Sequence, residues 1–311
     1  MGKYILRRCL YMIIILLVTA FAIFTILYFI PSDPADAMLG FNTSEAEKEA
    51  YRHILGIDRP YLVQLGDFMY KTFIKLDFGD SWAYGTPVFA ELLSRMPRTL
   101  VIGLSAMVLN LIFGVGLGIL AGTHAGQWQD SLTMGIVMVL IACPNFWIAL
   151  LMILLFSVKL NWLPPFGIDS IQCYIMPVLA SALAGIAVNA RFGRNSIVEV
   201  FRADYITTAR SKGMKERDVV HKHMLPNALM PVVTNIGSVL TRVVAGSPVV
   251  ESIFSVPGVG LYLLTAISVR DYPAIRACAM FFAVFSSIVM LIVDLVYAAI
   301  DPRIKAQFFG K

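Results

Sequence analysis

The chain has 311 residues, of which 58% are hydrophobic and only 14% are charged. Soluble domains average about 45 to 50% apolar and about 25% charged residues, so this composition excludes an ordinary soluble protein and indicates a membrane protein. The net charge of +5 and the sequence pI near 9.0 fit basic loops on one side of a membrane. The sequence lacks the basic face with interleaved aromatic residues that nucleic-acid-binding domains carry, so we expect no nucleic-acid partner.

Charge-free apolar stretches recur along the chain, and each is about long enough to cross a hydrocarbon core of about 30 Å as a helix. They cover residues 9–30, 99–123, 131–158, 170–190, 224–241 and 277–293. We expect the last two to continue past Arg242 and Asp294 to about Val250 and Ile300, because apolar sequence resumes after each charge. The sequence therefore predicts an all-α polytopic membrane protein with six transmembrane helices.

The remaining segments complete a division into four parts. Residues 1–30 are a cytoplasmic tail and the first transmembrane helix, 31–98 an extracytoplasmic helical subdomain, 99–300 a five-helix transmembrane core, and 301–311 a cytoplasmic tail. In the 31–98 segment, apolar residues at helical spacing over 46–55 and 62–76 predict short helices.

The distribution of Lys and Arg predicts the orientation. The segments expected inside, 1–8, 124–130, 191–223 and 301–311, hold fourteen basic residues, and the short loops expected outside hold three. Because basic residues concentrate in cytoplasmic loops, both termini are predicted to be cytoplasmic.

The loop 191–226 is too long and too patterned to serve orientation alone. Apolar residues at helical spacing, among them Val198, Phe201 and Ile206, precede Gly213, and a second helical run follows it. We expect two short helices joined at the glycine, which together make a compact cytoplasmic knob suited to docking on another protein.

This loop resembles the cytoplasmic signature of bacterial ABC importer permeases. Ala209, Gly213, Leu225 and Pro226 stand at the matching spacings, whereas Thr207 and Thr208 depart from the most general form. The string DYITTARSKG resembles the branch that imports dipeptides, oligopeptides and nickel. Further family-like strings run along the chain: ILRR, LGIDRPYLVQ, DFGDS, PNFW, NWLP, ESIFSVPGVG, RDYP and VDLVYAAIDPRIK.

The resemblance implies a coupling helix, expected over 204–212, that sits in a groove of an ATPase subunit. Gly213 is expected to permit a tight turn where a Cβ would clash, or else simply to end a helix. The residues implied in coupling are Asp204, Tyr205, Thr208, Ala209, Arg210, Lys212, Gly213, Leu225 and Pro226. The implied surroundings are a bacterial inner membrane, a second homologous permease forming a heterodimer, two ATPase subunits and an extracytoplasmic solute-binding protein.

The chain itself carries no GxxxxGK[ST] loop that could cradle nucleotide phosphates. We therefore expect no cofactor and no catalytic activity in this chain, with ATP and Mg bound by the partner subunits. The GxGxxA pattern at Gly116, Gly118 and Ala121 lies inside a predicted span, where small residues favour close helix packing rather than dinucleotide binding.

Polar groups at membrane depth are the candidates for lining the solute path. Arg242 either attracts an anionic group such as a peptide carboxylate or pairs with an acidic residue of a neighbouring subunit. Asn110, Asn145 and Asn189 either face the path or hydrogen-bond between helices, and packing is favoured for each.

Cargo is less constrained than mechanism. The strings favour di- and oligopeptides, with nickel or a nickel chelate as the alternative, and the His spacing predicts no metal site. A disulfide between Cys173 and Cys278 stays open. An intramembrane enzyme is disfavoured because the chain lacks HExxH and GxSxG motifs, and a simple channel leaves the cytoplasmic knob without a role.

Overall fold

A computed structural model describes residues 2–30, 33–39, 43–228, 235 and 247–300 of the chain. Within these ranges the regular elements are helices, and the only β feature is an isolated bridge between Asp80 and Pro87. The all-α prediction is therefore confirmed.

The helices have the following bounds, in chain order: α1 Gly2–Phe29, α2 Pro34–Leu39, α3 Glu45–Leu55, α4 Tyr61–Tyr70, α5 Val88–Leu109, α6 Val115–Thr123, α7 Trp128–Ala142, α8 Asn145–Met152, α9 Gln172–Phe201, α10 Asp204–Ser211, α11 Glu216–Asp218, α12 Ser247–Ile253, α13 Val259–Ser268 and α14 Tyr272–Ile300. Wider π-type turns follow or join several of them, at Lys71–Lys75, Asn110–Gly114, Ile153–Lys159 and Val219–Met224.

Four helical stretches of the described chain are long and apolar enough to cross a membrane: Leu6–Phe29, Val88–Thr123, Gln172–Phe201 and Tyr272–Val293. They correspond to the first, second, fourth and sixth predicted spans. The fifth predicted span, 224–250, lies mostly outside the described residues, and so does Arg242.

The third predicted span is not one continuous helix. It consists of α7 and a second half, Asn145–Lys159, which meet at an angle of 103°. Cys143, between them, is extended with φ −84° and ψ 127°. The residue before a proline is biased away from the helical region, and Pro144 has no N–H to continue the hydrogen-bond ladder. The sequence reading overlooked this proline because it counted only charges.

Helix ends also differ from the predicted membrane boundaries. The second span begins at Val88 rather than residue 99, the fourth ends at Phe201 rather than 190, and the last begins at Tyr272 rather than 277. Charged residues mark where a helix leaves the bilayer, but Arg and Glu are good helix formers and do not end it. The predicted boundary at 98/99 therefore falls inside α5, and the first residues of the loop 191–226 belong to α9.

The two helical runs predicted outside the membrane are present as α3 and α4. Ser44 and Glu47 form a capping box at the start of α3, and Gly56, with φ +67°, ends it in the left-handed conformation. α4 has no side-chain cap at its start and continues into the wide turn Lys71–Lys75, so its apolar spacing is the signal that located it.

The chain separates into two compact units, and the dividing points fall near the start of α1, inside α5, between α12 and α13, and inside α14. The unit that holds α1 to α4 has its core where α1 packs against α4 and α14, through Leu16, Ala20, Phe24, Phe68 and Met280. A second cluster joins Val88 and Leu92 of α5 to Val259, Tyr262 and Cys278.

The other unit is built around α9. In its most apolar window 67% of α9 is buried, compared with 22% to 33% for the other long spans. Small residues on α6 allow this burial: a Cβ added to Gly118 would lie 3.0 Å from the carbonyl oxygen of Ala190, and one added to Gly122 only 2.7 Å from Cβ of Ile197. The prediction that the GxGxxA segment serves close packing is confirmed, although Gly116 itself faces open space.

Among the described residues, Cys173 and Cys278 are thiols and form no disulfide. The two residues belong to different units.

Two glycines of α6 are expected to respond in opposite directions when each is replaced by alanine. Gly122→Ala forces Ile197 and its helix to move and should destabilise the isolated chain by about 1–3 kcal/mol. Gly116→Ala meets no atom within 4 Å and should be neutral or stabilising by up to about 1 kcal/mol, because alanine favours the helix. Thermal unfolding of both variants in detergent, followed by Trp fluorescence, measures the difference. Equal midpoints would contradict the packing role.

Candidate coupling site

Residues 204–228, here called the elbow, follow α9 as a separate small structure. The chain leaves α9 at Phe201, and Ala203 is extended with φ −73° and ψ 143°, which redirects it into α10. Asp204 stands in the first turn of α10, where a carboxylate interacts favourably with the helix dipole. After Gly213, α11 and the wide turn Val219–Met224 form the second arm.

The elbow has a core of its own. Ile206 and Ala209 lie on one face of α10 because they are three residues apart, and they pack against Val219 and Met224 of the second arm and Ile197 of α9. Ile206, Val219 and Ile197 are fully buried. The two arms are therefore fixed to each other and to the end of α9.

The opposite face of α10 is exposed and polar. Asp204, Tyr205, Thr208 and Lys212 are all exposed, and 45% of Tyr205 is accessible. The hydroxyl of Thr208 donates to the carbonyl oxygen of Asp204 at 2.9 Å, one turn earlier in the same helix. Its hydrogen bond is therefore made within α10. The result is a short, rigid helix that offers one free side to another protein.

The other residues implied in coupling divide between core and surface. Ala209 faces the core and Leu225 is partly buried, whereas Gly213 and Pro226 are exposed. The four residues at the signature spacing therefore do not form one docking surface, because two of them pack inside the elbow and two are exposed.

Gly213 agrees with the second of the two sequence alternatives, because it stands where α10 ends. Its φ is +76°, and an added Cβ would meet nothing within 4 Å, so the expected clash within the chain is absent. The left-handed backbone conformation is what favours glycine here. It allows the Gly213 N–H to donate to the carbonyl oxygen of Arg210 at 2.9 Å and closes the end of α10.

Arg210 joins the arms from outside the core. Its guanidinium lies 4.2 Å from the ring centre of Phe201 and donates to both carboxylate oxygens of Glu216, at 2.6 and 3.1 Å. This contact lowers the pKa of Glu216 below its usual range. The sequence analysis missed Glu216 because its six-residue separation from Arg210 spans the glycine turn and follows no helical period.

Two of the asparagines proposed for the path are buried in a hydrogen-bonded chain. The Asn189 amide donates to Oδ1 of Asn110, and the Asn235 amide donates to Oδ1 of Asn189, each at 2.6 Å. Asn110 is 1% exposed and Asn189 is fully buried. Such a chain holds helices together in lipid, which agrees with the packing alternative for both residues.

Asn145 occupies a different setting. It is the first residue of α8, directly after the 103° break, and it is partly buried. Non-helical backbone at membrane depth is tolerated where protein or a water-filled cavity surrounds it, which fits either alternative for Asn145, and its place on the path stays a prediction.

An ion pair that the sequence reading did not identify links α7 to α9. Arg194 donates through Nε and Nη2 to the two carboxylate oxygens of Asp130, at 3.1 and 2.7 Å, and Gly126 N–H also donates to this carboxylate. In the sequence analysis, Arg194 was used only as one of the basic residues that predict the orientation in the membrane. Because it lies one turn before Ile197, it ties the start of the broken span to the part of α9 that carries the elbow.

The exposed side of α10 carries polar and charged side chains. The described residues include no group of three or more His, Cys, Asp or Glu side chains placed to hold a metal ion. The exposed residues of α10 are Asp204, Tyr205, Thr207, Thr208 and Ser211, and the exposed Lys212 follows them. The docking role of this surface stays a prediction.

Comparison with known proteins agrees with this geometry. The family model described as binding-protein-dependent transport system inner membrane component matches residues 114–306, and the corresponding N-terminal family model matches residues 1–103. The glutathione transport system permease protein GsiC of Escherichia coli K12 is 39% identical over 305 residues, covering 98% of this chain and 99% of that protein. The GsiC protein of Salmonella typhimurium is 38% identical over the same length.

Solved structures show the same fold at low identity. A permease chain of the inward-facing MetNI methionine ABC transporter covers 68% of this chain with a TM-score of 0.56 and 16% identity, and 97% of its own length is matched. An amino acid ABC transporter crystallised with histidines gives a TM-score of 0.56 at 15% identity, with 68% of this chain and 94% of that chain covered. The chain therefore belongs to the family of binding-protein-dependent transport system inner membrane components, the non-catalytic permease subunits of ABC importers.

Proposed function

We propose that this permease forms half of a translocation pathway for di- and oligopeptides, and that ATP hydrolysis on separate subunits drives it through the elbow. The observation that carries the proposal is the construction of α10: one face is buried on α9 through Ile206 and Ala209, and the other is exposed and polar. A helix built in this way transfers a push on its free face to the membrane helix beneath it.

The mechanism follows from that rigidity. When two ATPase subunits bind ATP and Mg and close, they displace the paired elbows. The buried contact between Ile197 and Ile206 and the contact of Arg210 with Glu216 keep the arms from yielding, so α9 moves with them. Transport is then a two-state equilibrium between inward and outward openings that ATP biases.

The proposed assembly places the elbow and both termini in the cytoplasm, as the fourteen-to-three distribution of basic residues favours. A second permease of similar fold completes the path in a heterodimer, and an external solute-binding protein delivers the cargo. Asn145, beside the break between α7 and α8, and Arg242 are the proposed path residues.

The relatives support peptides as cargo over nickel. The similar proteins of Escherichia coli and Salmonella carry the name of a glutathione transport system, and glutathione is a small peptide. On that basis we propose di- and tripeptides as the cargo of this chain, and nickel transport is the alternative.

Uptake measurements test the function. The tagged chain, purified with the partner subunits that accompany it and reconstituted with the solute-binding protein encoded beside it, should accumulate labelled di- and tripeptides in proteoliposomes. Accumulation should require ATP and fail with a non-hydrolysable analogue. Nickel uptake without peptide uptake would overturn the cargo, and equal uptake without ATP would indicate a channel and overturn the coupled mechanism.

Gly213 gives a test of the elbow. Gly213→Val should reduce ATP-driven uptake at least tenfold with normal membrane insertion, because a β-branched residue is strained at φ +76°. Gly213→Asn is the matched control, since asparagine tolerates the left-handed conformation and meets open space within this chain. It should keep most of the activity. Full uptake by the valine variant would contradict the role of the turn.

A further inference from the structure

A cavity of about 490 Å³ in the first unit belongs to no part of the transport mechanism described above. Its walls come from α1, the end of α3 and the turn after it, α4 and Lys71, the loop 77–82 and the start of α14. The lining mixes aromatic side chains, among them Phe24, Phe68 and Trp82, with charged ones. This combination is typical of a binding site for a small polar group.

Arg276 of α14 provides the cavity with a cation that has no counter-ion within 4.0 Å among the residues that the structure describes. Its guanidinium lies 4.7 Å from the ring centre of Phe24 and 5.2 Å from that of Phe68. Its Nε atom is buried and has no hydrogen-bond partner among the residues that the structure describes. Since a buried donor of this kind is costly to leave unsatisfied, the cavity is prepared for an anionic acceptor.

The other charges of the lining favour a ligand that also carries a positive group. Arg59 and Asp67 pair with each other at 3.2 Å, and Lys71 is a further exposed cation of the lining. Asp77 and Asp80 are exposed in the same lining, and neither has an ion-pair partner within 4.0 Å in the described chain, although the Asp77 carboxylate accepts the Gly79 N–H at 2.8 Å. Because the lining carries both cations and carboxylates without a cationic partner, it matches a zwitterion better than a simple anion.

The apolar stretches predict that the cavity lies near the membrane surface. Arg276 directly precedes the charge-free stretch 277–293, and Phe24 lies six residues before the end of the stretch 9–30, so both are expected close to the edge of the hydrocarbon core. Tyr28, Tyr61 and Trp82 surround this level, as expected at a membrane interface. On α1, which contributes Phe24 to the lining, Phe21 and Ile26 are 49% and 59% exposed and provide an apolar surface suited to acyl chains.

The loop that carries the acidic side of the cavity is held in place. Asp271 accepts hydrogen bonds from the Ser81 hydroxyl at 2.5 Å and from the Trp82 N–H at 3.1 Å. Asp271 and Ser81 are both buried. The cavity is thus formed before any ligand enters, which reduces the cost of binding.

We propose that this cavity binds the headgroup of a phospholipid that carries a phosphodiester and a primary ammonium, as phosphatidylethanolamine does. The phosphodiester oxygens accept hydrogen bonds from Arg276, and the ammonium donates to Asp77 and Asp80. The acyl chains lie along the exposed apolar residues of α1, which is long and apolar enough to span the membrane.

Native mass spectrometry of the delipidated full-length chain, titrated in turn with three lipids of matched acyl chains, tests the proposal. Phosphatidylethanolamine should bind about tenfold more tightly than phosphatidylcholine, whose methylated nitrogen cannot donate, and than phosphatidylglycerol, which has no ammonium. Asp77→Asn with Asp80→Asn should remove this preference, and these exposed changes leave the cores untouched. Arg276→Gln should weaken binding of all three lipids.

The matched control is Arg59→Gln with Asp67→Asn, which removes an already paired couple from the same cavity without changing the net charge. It should leave the lipid preference as in the wild type. Equal binding of the three lipids, or a preference that survives the double aspartate change, would overturn the proposal. Displacement of the lipid by a soluble dipeptide would assign the cavity to a free zwitterion instead of a lipid, and would also overturn it.

Discussion

The packing of α10 on the end of α9 is the contact on which the functional account depends. Ile206 is fully buried against Ile197, and Ala209 is small enough to let the helices approach. Because protein interiors are close-packed and transmit displacement rather than absorb it, a partner that moves the exposed face of α10 also moves α9. The same helix is the most buried of the long spans in the described chain, so that motion reaches the centre of its unit.

Much of this architecture could be predicted from the sequence because membrane helices must satisfy their own backbone hydrogen bonds. Apolar length alone located α1, α9 and α14, and apolar residues at helical spacing located α3 and α4. The break at Pro144 and the helical continuation of α9 to Phe201 were missed, since counting charges describes the membrane boundary and not the helix. The role of Gly213 was placed correctly at a turn but explained by a clash that is absent.

The contacts that sequence reasoning could not find join residues far apart in the chain. Asp271, in the string RDYP, accepts from Ser81, which lies 190 positions earlier. Val259, in the string ESIFSVPGVG, donates its N–H to Thr99 across 160 positions. The sequence analysis used both strings only as evidence of family resemblance. In the structure, each contributes a hydrogen bond that joins distant segments of one unit. Periodicity cannot reveal such pairs, because their spacing is set by the fold.

The most direct measurement of the central claim is site-specific photo-crosslinking from the elbow in the assembled importer. A photoreactive residue at Tyr205 or Thr208, on the exposed face of α10, should crosslink to the ATPase subunit, and the yield should change when ATP is trapped. The same residue at Trp128, which is 70% exposed at the start of α7 and outside the elbow, serves as the comparison. Crosslinks to the external solute-binding protein, or none to an ATPase from either elbow position, would contradict the account.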